Sequence, residues 1–237
     1  MLGNEKLWSC TPADSCPPPS GVQVWAAWLD VTGDGAAGFW SALSGQERER
    51  ASRFARERDR ARFIAARGLL REILGSCVGA EPDSLEFAYS AKGKPSLGGA
   101  FAKCGLEFNL AHSSGLAVFA VARHGMVGVD VEKIRPIPDL STLSQRFLTP
   151  RECAEIERLS GGQAIGGFFR IWTRKEAWLK ATGEGLTGLP SSIEVLGASG
   201  EVNIYVGPQP GLSGTRLCLH DLAPAPGFLG ALAVTPQ

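Results

Sequence analysis

Two acidic side chains in residues 127–132 have the types and spacing of a metal site. The alternation of this segment, VGVDVE, predicts a strand whose valines face a core. Asp130 and Glu132 then share the other face with Gly128, which leaves room beside them. Carboxylates this close raise each other's pKa unless a cation lies between them. Mg²⁺ fits, because it is held by one or two carboxylates and keeps positions for phosphate and water. A half-exposed strand with solvated acids would show the same pattern.

A second pair of charged side chains lies on a helix predicted over residues 164–182 and ended by Gly183. Glu176 and Lys180 are four residues apart, so they share one face of this helix. In most helices such a pair is a surface ion pair worth about 0.3 kcal/mol. Beside the acidic strand, the same residues would supply a third carboxylate and a cation for phosphate.

Arginines are concentrated on a helix predicted over residues 47–72, which Gly75 is expected to end. Ser44 and Glu47 have the spacing of a capping box at its start. The helix holds nine arginines and five acidic residues, an excess of four positive charges. Most of them fit a solvated helix crossed by ion pairs, and a few could instead bind a phosphate-bearing ligand. One face is expected to be core, from the spacing of Phe63, Ala66, Leu70 and Ile73.

The composition limits the classes of function. The chain has 237 residues, 44% of them hydrophobic, which is enough for one large domain or two small ones. Its net charge is zero, which argues against a general nucleic-acid-binding or membrane-surface protein. Because it has neither an apolar run of membrane-spanning length nor a secretory signal pattern, we expect a cytoplasmic protein. The six scattered cysteines form no C-x-x-C pair and are expected to be reduced.

The order of predicted elements indicates an α+β protein of two similar lobes. In each half, helices precede strands that are bounded by Gly and Pro, which favours antiparallel sheets. We expect a loose tail over residues 1–20, an N-terminal lobe over 21–124 and a C-terminal lobe over 125–237. The two lobes are expected to be pseudo-symmetric. The predicted strands are residues 22–30, 85–89, 107–111, 116–123, 127–132, 193–196, 202–206, 216–222 and 228–234.

Four short segments follow one another between about residues 93 and 186. They are Gly93-Lys94-Pro95, FNLAHS at 108–113, GVDVE at 128–132, and WTRKEAWLK at 172–180 continued by GEGL at 183–186. Each is a weak signal alone. In this order they resemble the 4′-phosphopantetheinyl transferases, and in particular the large, single-chain surfactin-activating type.

The resemblance implies a reaction, a fold and a site. The enzyme would move the phosphopantetheine arm of coenzyme A to a serine of an acyl or peptidyl carrier protein and release 3′,5′-ADP. It would be a monomer that binds coenzyme A in a cleft between two α+β lobes. Asp130, Glu132 and Glu176 would hold Mg²⁺ on the pyrophosphate. The other implied coenzyme A contacts are Arg50, Arg62, Lys94, Pro95, His112, Ser113 and Lys180.

Catalytic roles follow from the same resemblance. Glu176 would act as the general base toward the serine hydroxyl, directly or through water, and Lys180 would stabilise the leaving group. One position departs from the family pattern. Glu47 stands where some relatives carry a basic residue, so the contact with the 3′-phosphate could fall to Arg48 or Arg50.

The segment after Glu132 is a candidate docking surface for the carrier, because it combines apolar side chains with cations. The proposed docking residues are Lys133, Arg135, Arg146 and Phe147. A linker whose apolar residues, notably Leu140 and Leu143, pack on their own lobe is the competing interpretation. For the whole chain, the alternative to a transferase is a non-catalytic module that binds coenzyme A or a nucleotide. Such a module would need phosphate-binding cations but no third carboxylate.

Overall fold

The first half of the chain contains one large sheet, a two-stranded ribbon and three helices. The computed structural model describes residues 7–9, 21–31, 34–183, 190–197, 205–206 and 217–235. The elements of this half are β1 (Leu7–Ser9), β2 (Val22–Trp28), α1 (Asp34–Ala42), α2 (Gly45–Ser52), α3 (Glu57–Val78), β3 (Phe87–Tyr89), β4 (Pro95–Leu97), β5 (Leu106–Ser113) and β6 (Leu116–Arg123).

The second half adds a three-stranded sheet, a second short ribbon and three more helices in the described residues. Every strand pair described in either half is antiparallel, so the predicted α+β class is confirmed. Residues 202–204 and 216 of the predicted strands, and 184–186 of the GEGL segment, lie outside the described residues. The elements are β7 (Val127–Lys133), α4 (Leu140–Phe147), α5 (Pro150–Glu157), α6 (Gly161–Thr182), β8 (Ile193–Glu194), β9 (Tyr205–Val206), β10 (Cys218–Leu222) and β11 (Phe228–Val234).

The first-half sheet has the strand order β1-β2-β6-β5. The long helix α3 covers one face of it, because Ala66, Leu69 and Leu70 form an apolar stripe on that helix. The stripe packs with Phe108 of β5 and Phe119 of β6 in one core. The opposite face of the sheet is therefore left for the second half of the chain.

The bounds predicted for the arginine-rich helix are wrong. Two helices, α2 and α3, replace the single helix, because the chain leaves helical geometry over residues 53–56. The predicted capping box is confirmed: the Ser44 side chain accepts from the backbone of Glu47, whose carboxylate accepts from Ser44 N. Helix α3 ends at Gly79, which has a φ of 70°, rather than at Gly75. Gly75 stays inside the helix, where a β-carbon would lie 2.6 Å from the carbonyl oxygen of Ala80.

The predicted loose tail needs a correction at Leu7–Ser9. These residues form β1 and pair antiparallel with β2, with Leu7 opposite Ala27 and Ser9 opposite Trp25. The pairing satisfies backbone groups at the edge of β2 that no other described strand meets. The other residues of 1–20 lie outside the described part of the chain.

The second-half sheet has the strand order β10-β11-β7. Helix α6 lies across it and buries Phe168, Ala177, Trp178 and Leu179 against the sheet and neighbouring loops. The predicted ends of this helix are nearly correct, and Gly183 caps its C-terminus as expected. No helix in the described residues is long and apolar enough to cross a membrane.

The two sheets pack face to face through small and β-branched side chains. Val24 and Ala26 of β2 share a core with Val129 and Val131 of β7. A buried polar contact also crosses this interface, since the Asn109 side chain accepts from Val129 N at 2.9 Å. The valine face predicted for β7 is therefore buried between the sheets, and the acidic face points toward α6. The lobe boundary at residues 124 and 125 and the pseudo-symmetry stay predictions.

Candidate active site

The close approach of α6 to β7 brings the acidic strand to the helix. Gly128 permits it: a β-carbon there would lie 2.9 Å from Ala181 Cα and closer still to Ala177 O and Ala181 N. Only glycine lets two backbones meet this tightly. The expected free space beside the acids is therefore wrong, because the backbone of α6 fills the space next to Gly128.

Asp130 and Lys180 form an ion pair between β7 and α6. Lys180 Nζ donates to Asp130 Oδ1 at 2.6 Å, and the Asp130 side chain is 6% exposed. Asp130 Oδ2 is buried without a hydrogen-bond partner. Burial raises the pKa of Asp130 to about 6; Lys180 opposes the rise and the charge of Glu132 adds to it. Because Oδ2 has no partner, one oxygen of the Asp130 carboxylate remains available to a ligand.

Glu176 lies one helical turn before Lys180, and its carboxylate is buried much as that of Asp130 is. Its side chain is 8% exposed, and Oε1 is buried without a hydrogen-bond partner. Burial first, and then the negative charge of Asp130, raise the pKa of Glu176 to about 7. Lys180 lowers this pKa and Glu132 raises it further. A carboxyl with a pKa near neutral is suited to take up a proton from a substrate.

Glu132 is held by a side chain of the first-half sheet. The Ser113 hydroxyl of β5 donates to Glu132 Oε2 at 2.8 Å and accepts from Lys133 N at 3.2 Å. The structure thus brings Ser113 to the acidic strand. Within the described residues, however, no three Asp, Glu, His or Cys side chains are arranged to hold a metal ion. The three-carboxylate set expected from the sequence is not preassembled there.

Lys94 reaches the same region from the ribbon formed by β3 and β4. Its Nζ donates to the carbonyl of Ala181 at 2.8 Å and lies 3.5 Å from Glu107 Oε2. Ala181 follows Lys180 directly, so both lysines lie near the C-terminal end of α6. Pro95 opens β4 opposite Tyr89 and has no recorded contact with the carboxylates.

His112 and Arg62 lie at the β5–β6 turn. Arg62 binds Asp30 through two hydrogen bonds of 2.6 Å, and its guanidinium lies beside Gly115. His112 is exposed to solvent. Its partial desolvation, followed by the positive charges of Lys180 and Arg62, lowers the pKa of His112, and Glu132 opposes this change. His112 is therefore near enough to both cations to feel their charge.

Arg50 lies in a different place. Its guanidinium lies over the ring of Phe63, with 5.3 Å to the ring centroid. Both residues line a cavity of about 950 Å³ whose walls also include Arg53, Arg67 and Tyr89. In the described residues, no recorded contact connects Arg50 with the acidic strand. The role of Arg50 toward coenzyme A therefore stays a prediction.

The departure at Glu47 has a structural explanation. Glu47 is 6% exposed and pairs with Arg67 at 2.5 Å and with Arg71 at 2.7 Å. The pKa of Glu47 is lowered, because these two arginines and the Ser44 backbone outweigh the desolvation that would raise it. Arg48 is also engaged, since it donates to the carbonyls of Trp40 and Ser41 on α1. Of the two arginines considered for a 3′-phosphate contact, Arg50 is therefore the less engaged, since it lies over the ring of Phe63.

Two residues of this site were not singled out from the sequence. Asp30 orients Arg62 across 32 positions of sequence, and the Ala181 carbonyl binds Lys94 across 87. In the sequence, Asp30 is simply an acid that follows an apolar strand, and this pattern does not indicate a role. A backbone carbonyl gives no sequence signal at all.

The segment after Glu132 borders an apolar groove of about 600 Å³, lined by residues of both the segment and α6. Lys133, Arg135 and Arg146 are exposed and take part in no recorded ion pair of the described residues. Leu140 and Leu143 pack against the second-half core, as the competing interpretation held for them. The apolar side chains that line this groove are Pro136, Ile137, Pro138, Leu143, Phe147, Phe168, Phe169 and Trp172.

Comparisons with known proteins identify the family of the chain. Two family models match the chain: the N-terminal model of 4′-phosphopantetheinyl transferase over residues 32–124, and the 4′-phosphopantetheinyl transferase superfamily over 126–217. The 4′-phosphopantetheinyl transferase HetI of Nostoc sp. is 45% identical over 168 residues, which cover 71% of each chain. The chain belongs to the 4′-phosphopantetheinyl transferase superfamily, a superfamily of enzymes.

More distant relatives carry similar names. A phosphopantetheinyl transferase of Thraustochytrium sp. is 31% identical over 190 residues, 71% of this chain and 63% of that one. A 4′-phosphopantetheinyl transferase of Bacillus subtilis is 29% identical over 147 residues, 62% of this chain and 63% of that one. This chain thus spans slightly less than two thirds of these two relatives. A crystal structure of Thermotoga maritima holo-[acyl-carrier-protein] synthase matches 47% of this chain and 63% of its own at 23% identity and a TM-score of 0.39, too partial a match to bear on the fold.

Proposed function

We propose that the chain transfers the 4′-phosphopantetheine arm of coenzyme A to a serine of apo carrier proteins, releases 3′,5′-ADP, and is of the surfactin-activating type. One observation carries the proposal beyond family membership. Asp130 and Glu176 are both buried, and each has one carboxylate oxygen that the protein leaves without a partner. Lys180 of α6 donates to Asp130 of β7 and is placed to bind phosphate. A protein that only binds coenzyme A has no use for two such acids.

The two unpartnered oxygens fit a magnesium ion. Buried carboxylate oxygens are costly unless something satisfies them, and the mutual repulsion of Asp130 and Glu176 adds to the cost. These two acids, with Glu132 near them, would hold Mg²⁺. When bound, Mg²⁺ would supply positive charge to the pyrophosphate oxygens.

The residues of the chain account for the proton and the leaving group. The serine oxygen of the carrier attacks the β-phosphorus of coenzyme A, and a new P–O bond forms as the bond to the 3′,5′-ADP oxygen breaks. Glu176 takes the serine proton as the general base, because burial and the negative charge of Asp130 favour its protonated form. Lys180, one turn further along α6, donates to the phosphate oxygens on which charge develops. The arm ends on the carrier serine and the proton on Glu176.

Coenzyme A would lie along the edge formed by β5, the β3–β4 ribbon and α6. Lys94 and His112 would contact its phosphates, since both lie near Lys180 in the described structure. Arg62 would meet the 3′-phosphate, held in place by Asp30. Ser113 would link this edge to Glu132. Pro95, directly after Lys94 in the ribbon, and Arg50 are proposed as further coenzyme A contacts.

The transfer reaction is tested by mass spectrometry of a purified apo carrier after incubation with the enzyme, coenzyme A and Mg²⁺. We expect the carrier to gain the mass of the phosphopantetheine arm and 3′,5′-ADP to accumulate in equal amount. Incubation with EDTA should prevent both. No mass gain with any of several acyl and peptidyl carriers, despite measurable coenzyme A binding, would favour the non-catalytic binding module.

The Arg62→Ala variant is expected to raise the KM for coenzyme A about ten-fold and to leave the KM for 3′-dephospho-coenzyme A nearly unchanged. A lost phosphate contact matters only when that phosphate is present. Initial rates with both substrates check this. Arg60→Ala is the matched control, because Arg60 lies two residues away on α3 and pairs only with the surface residue Glu57. Equal effects of Arg62→Ala on both substrates would assign Arg62 to structure.

The carrier would dock on the apolar groove and the cations at its rim. Exposed Lys133, Arg135 and Arg146 lack acidic partners in the described structure, which suits an acidic partner surface. Phe147 contributes an apolar wall, and its ring packs edge-on against Trp172 with centroids 5.0 Å apart. The segment begins next to Glu132, so a docked serine would arrive beside the acids.

The Arg135→Glu variant is expected to raise the KM for carrier about ten-fold at low salt, and this effect should shrink at high salt because rim charges are screened. Phe147→Ala should raise the same KM by a similar factor that salt does not change. Neither should alter coenzyme A affinity. Arg158→Glu controls for net charge, since Arg158 is exposed at the end of α5 and pairs with Glu155. Unchanged carrier kinetics in both variants would move docking to the first lobe.

The proposal also covers the lobe boundary, the oligomeric state and the cellular location of the enzyme. We propose that the lobes meet near residue 124, that the enzyme works as a monomer, and that it acts in the cytoplasm. A monomer is supported by the packing of the two sheets within one chain, which buries the face each would otherwise expose. Neither nucleic acid nor a membrane is a proposed partner.

A further inference from the structure

Two oppositely charged side chains of the second lobe are completely buried and have no role in the proposed chemistry. Lys175 precedes Glu176 on α6, and Glu152 lies in the first turn of α5; each is 0% exposed. Lys175 Nζ lies 2.6 Å from Glu152 Oε2. A buried ion pair is often no more stabilising than apolar residues of the same shape, so its presence calls for another reason.

Lys175 fastens two other segments to α6. Its Nζ donates to the carbonyl of Phe147 at 3.2 Å, at the last turn of α4, and to the carbonyl of Ile193 at 2.7 Å, at the start of β8. The contact with the Phe147 carbonyl bears on the apolar groove. Phe147 forms one wall of the apolar groove, and its ring lies against Trp172, one turn before Lys175 on the same helix.

Glu152 holds the Lys175 ammonium group in place through their ion pair. Its carboxylate accepts from Thr149 N at 2.8 Å within the capping box of α5, and from Val195 N at 2.9 Å. In the described part of the chain, the Glu152 carboxylate is therefore held by two backbone N–H groups and by Lys175. The pair joins the end of α4, the start of α5, α6 and β8 at one point, one residue before Glu176.

We propose that Lys175 and Glu152 are positioning residues that hold the Phe147 wall of the apolar groove at a set place relative to Glu176. This inference rests on the proposed function, because the distance it sets is that between a docked carrier and the base. Without the pair, the Phe147 carbonyl of α4 would lose its hydrogen bond to α6, and the carrier serine would reach Glu176 less often. Coenzyme A contacts on the first lobe would be unaffected.

The test compares Lys175→Met, Glu152→Gln and the double variant with Asp221→Asn. Asp221 is a matched control, because it pairs with Arg174 at 2.7 Å, one residue before Lys175. Arg174 is 4% exposed and binds the carbonyls of Val195 and Gly197, and its ion pair with Asp221 joins α6 to β10. Loss of this second buried pair should lower the Tm by a similar amount.

At temperatures well below each Tm, Lys175→Met is expected to raise the carrier KM and lower kcat, each about ten-fold, with the coenzyme A Kd within about two-fold of wild type. Asp221→Asn should keep wild-type kinetics. The double variant should recover much of the Tm but not the kinetics, since methionine cannot bind the Phe147 carbonyl. Hydrogen exchange of residues 140–148 should be faster in Lys175→Met and unchanged in Asp221→Asn.

Three results would overturn the inference: unchanged exchange of residues 140–148 in Lys175→Met, wild-type kinetics in that variant, or kinetic recovery together with Tm in the double variant. An equal kinetic loss in Asp221→Asn would also reduce the pair to a stabilising role. Hydrogen exchange needs no transfer activity. A wild-type protein that fails to modify any carrier therefore refutes the proposed function, while the exchange data still decide whether Lys175 fastens α4.

Discussion

The Glu176→Gln variant is expected to lose about 10³-fold in turnover while it keeps its affinity for coenzyme A. Glutamine preserves the shape of a side chain that is only 8% exposed, so the packing of α6 on β7 is retained. It removes both the negative charge and the ability to accept a proton. Carrier modification followed by mass spectrometry gives the turnover, and titration calorimetry with coenzyme A gives the affinity.

Glu157→Gln is the matched control for that variant, because it neutralises an exposed acid of the same lobe. It should leave turnover unchanged. Turnover of Glu176→Gln within about ten-fold of wild type would remove Glu176 from the role of base, since general base catalysis contributes more than that. Asp130 would then be the next candidate.

The same substitution should change how stability depends on pH in metal-free protein. The folded state holds a proton on Glu176 up to about pH 7, whereas the unfolded chain releases it near pH 4.5. The free energy of unfolding should therefore fall as the pH rises through this window. Glutamine does not titrate, so in EDTA the variant should exceed wild type at pH 8 by on the order of 2 kcal/mol, with the difference vanishing toward pH 4. Added Mg²⁺ should stabilise wild type more than the variant at pH 8.

The Gly128→Ala variant is expected to be destabilised by about 3 kcal/mol or more. The added methyl group would overlap the backbone of α6 at Ala177 and Ala181, which cannot turn away as a flexible side chain could. Either the protein unfolds at lower denaturant concentration, or α6 moves off β7 and breaks the contact between Lys180 and Asp130. Both outcomes lower turnover. Denaturant unfolding and transfer assays measure the two effects.

Gly166→Ala provides the control for helix α6. A β-carbon at Gly166 has no neighbour within 4 Å, so alanine there should be neutral or slightly stabilising. Wild-type stability in Gly128→Ala would show that the helix and strand do not meet as closely as described. It would also undermine the explanation of how Asp130 is brought to Lys180.

The strongest features of the candidate site were readable from local pattern. Alternation in residues 127–132 placed Asp130 and Glu132 on one face, and the structure puts that face toward α6. The four-residue spacing of Glu176 and Lys180 placed them on one side of a helix. Strand alternation and helical periodicity are properties of the backbone, so such predictions need no knowledge of the fold.

Predictions that depended on the meaning of a single glycine were less successful. Gly75 was expected to end a helix, but Gly79 ends it, and Gly75 is required by a close carbonyl instead. Gly128 was expected to leave space for a ligand, and the backbone of α6 occupies that space. A glycine shows that something needs room, but the sequence does not tell which atom uses it.

By itself, the sequence determined the α+β class, the antiparallel strands, the capping box of α2 and the acids of β7. Each depends on residues near one another in the chain. Only the tertiary structure decided that Lys180 pairs with Asp130, that Asp30 orients Arg62, and that Arg50 lies over the ring of Phe63. The two ion pairs join residues 50 and 32 positions apart in the chain. Their existence depends on how the sheets and helices pack, and packing is a property of the whole core that no local spacing encodes.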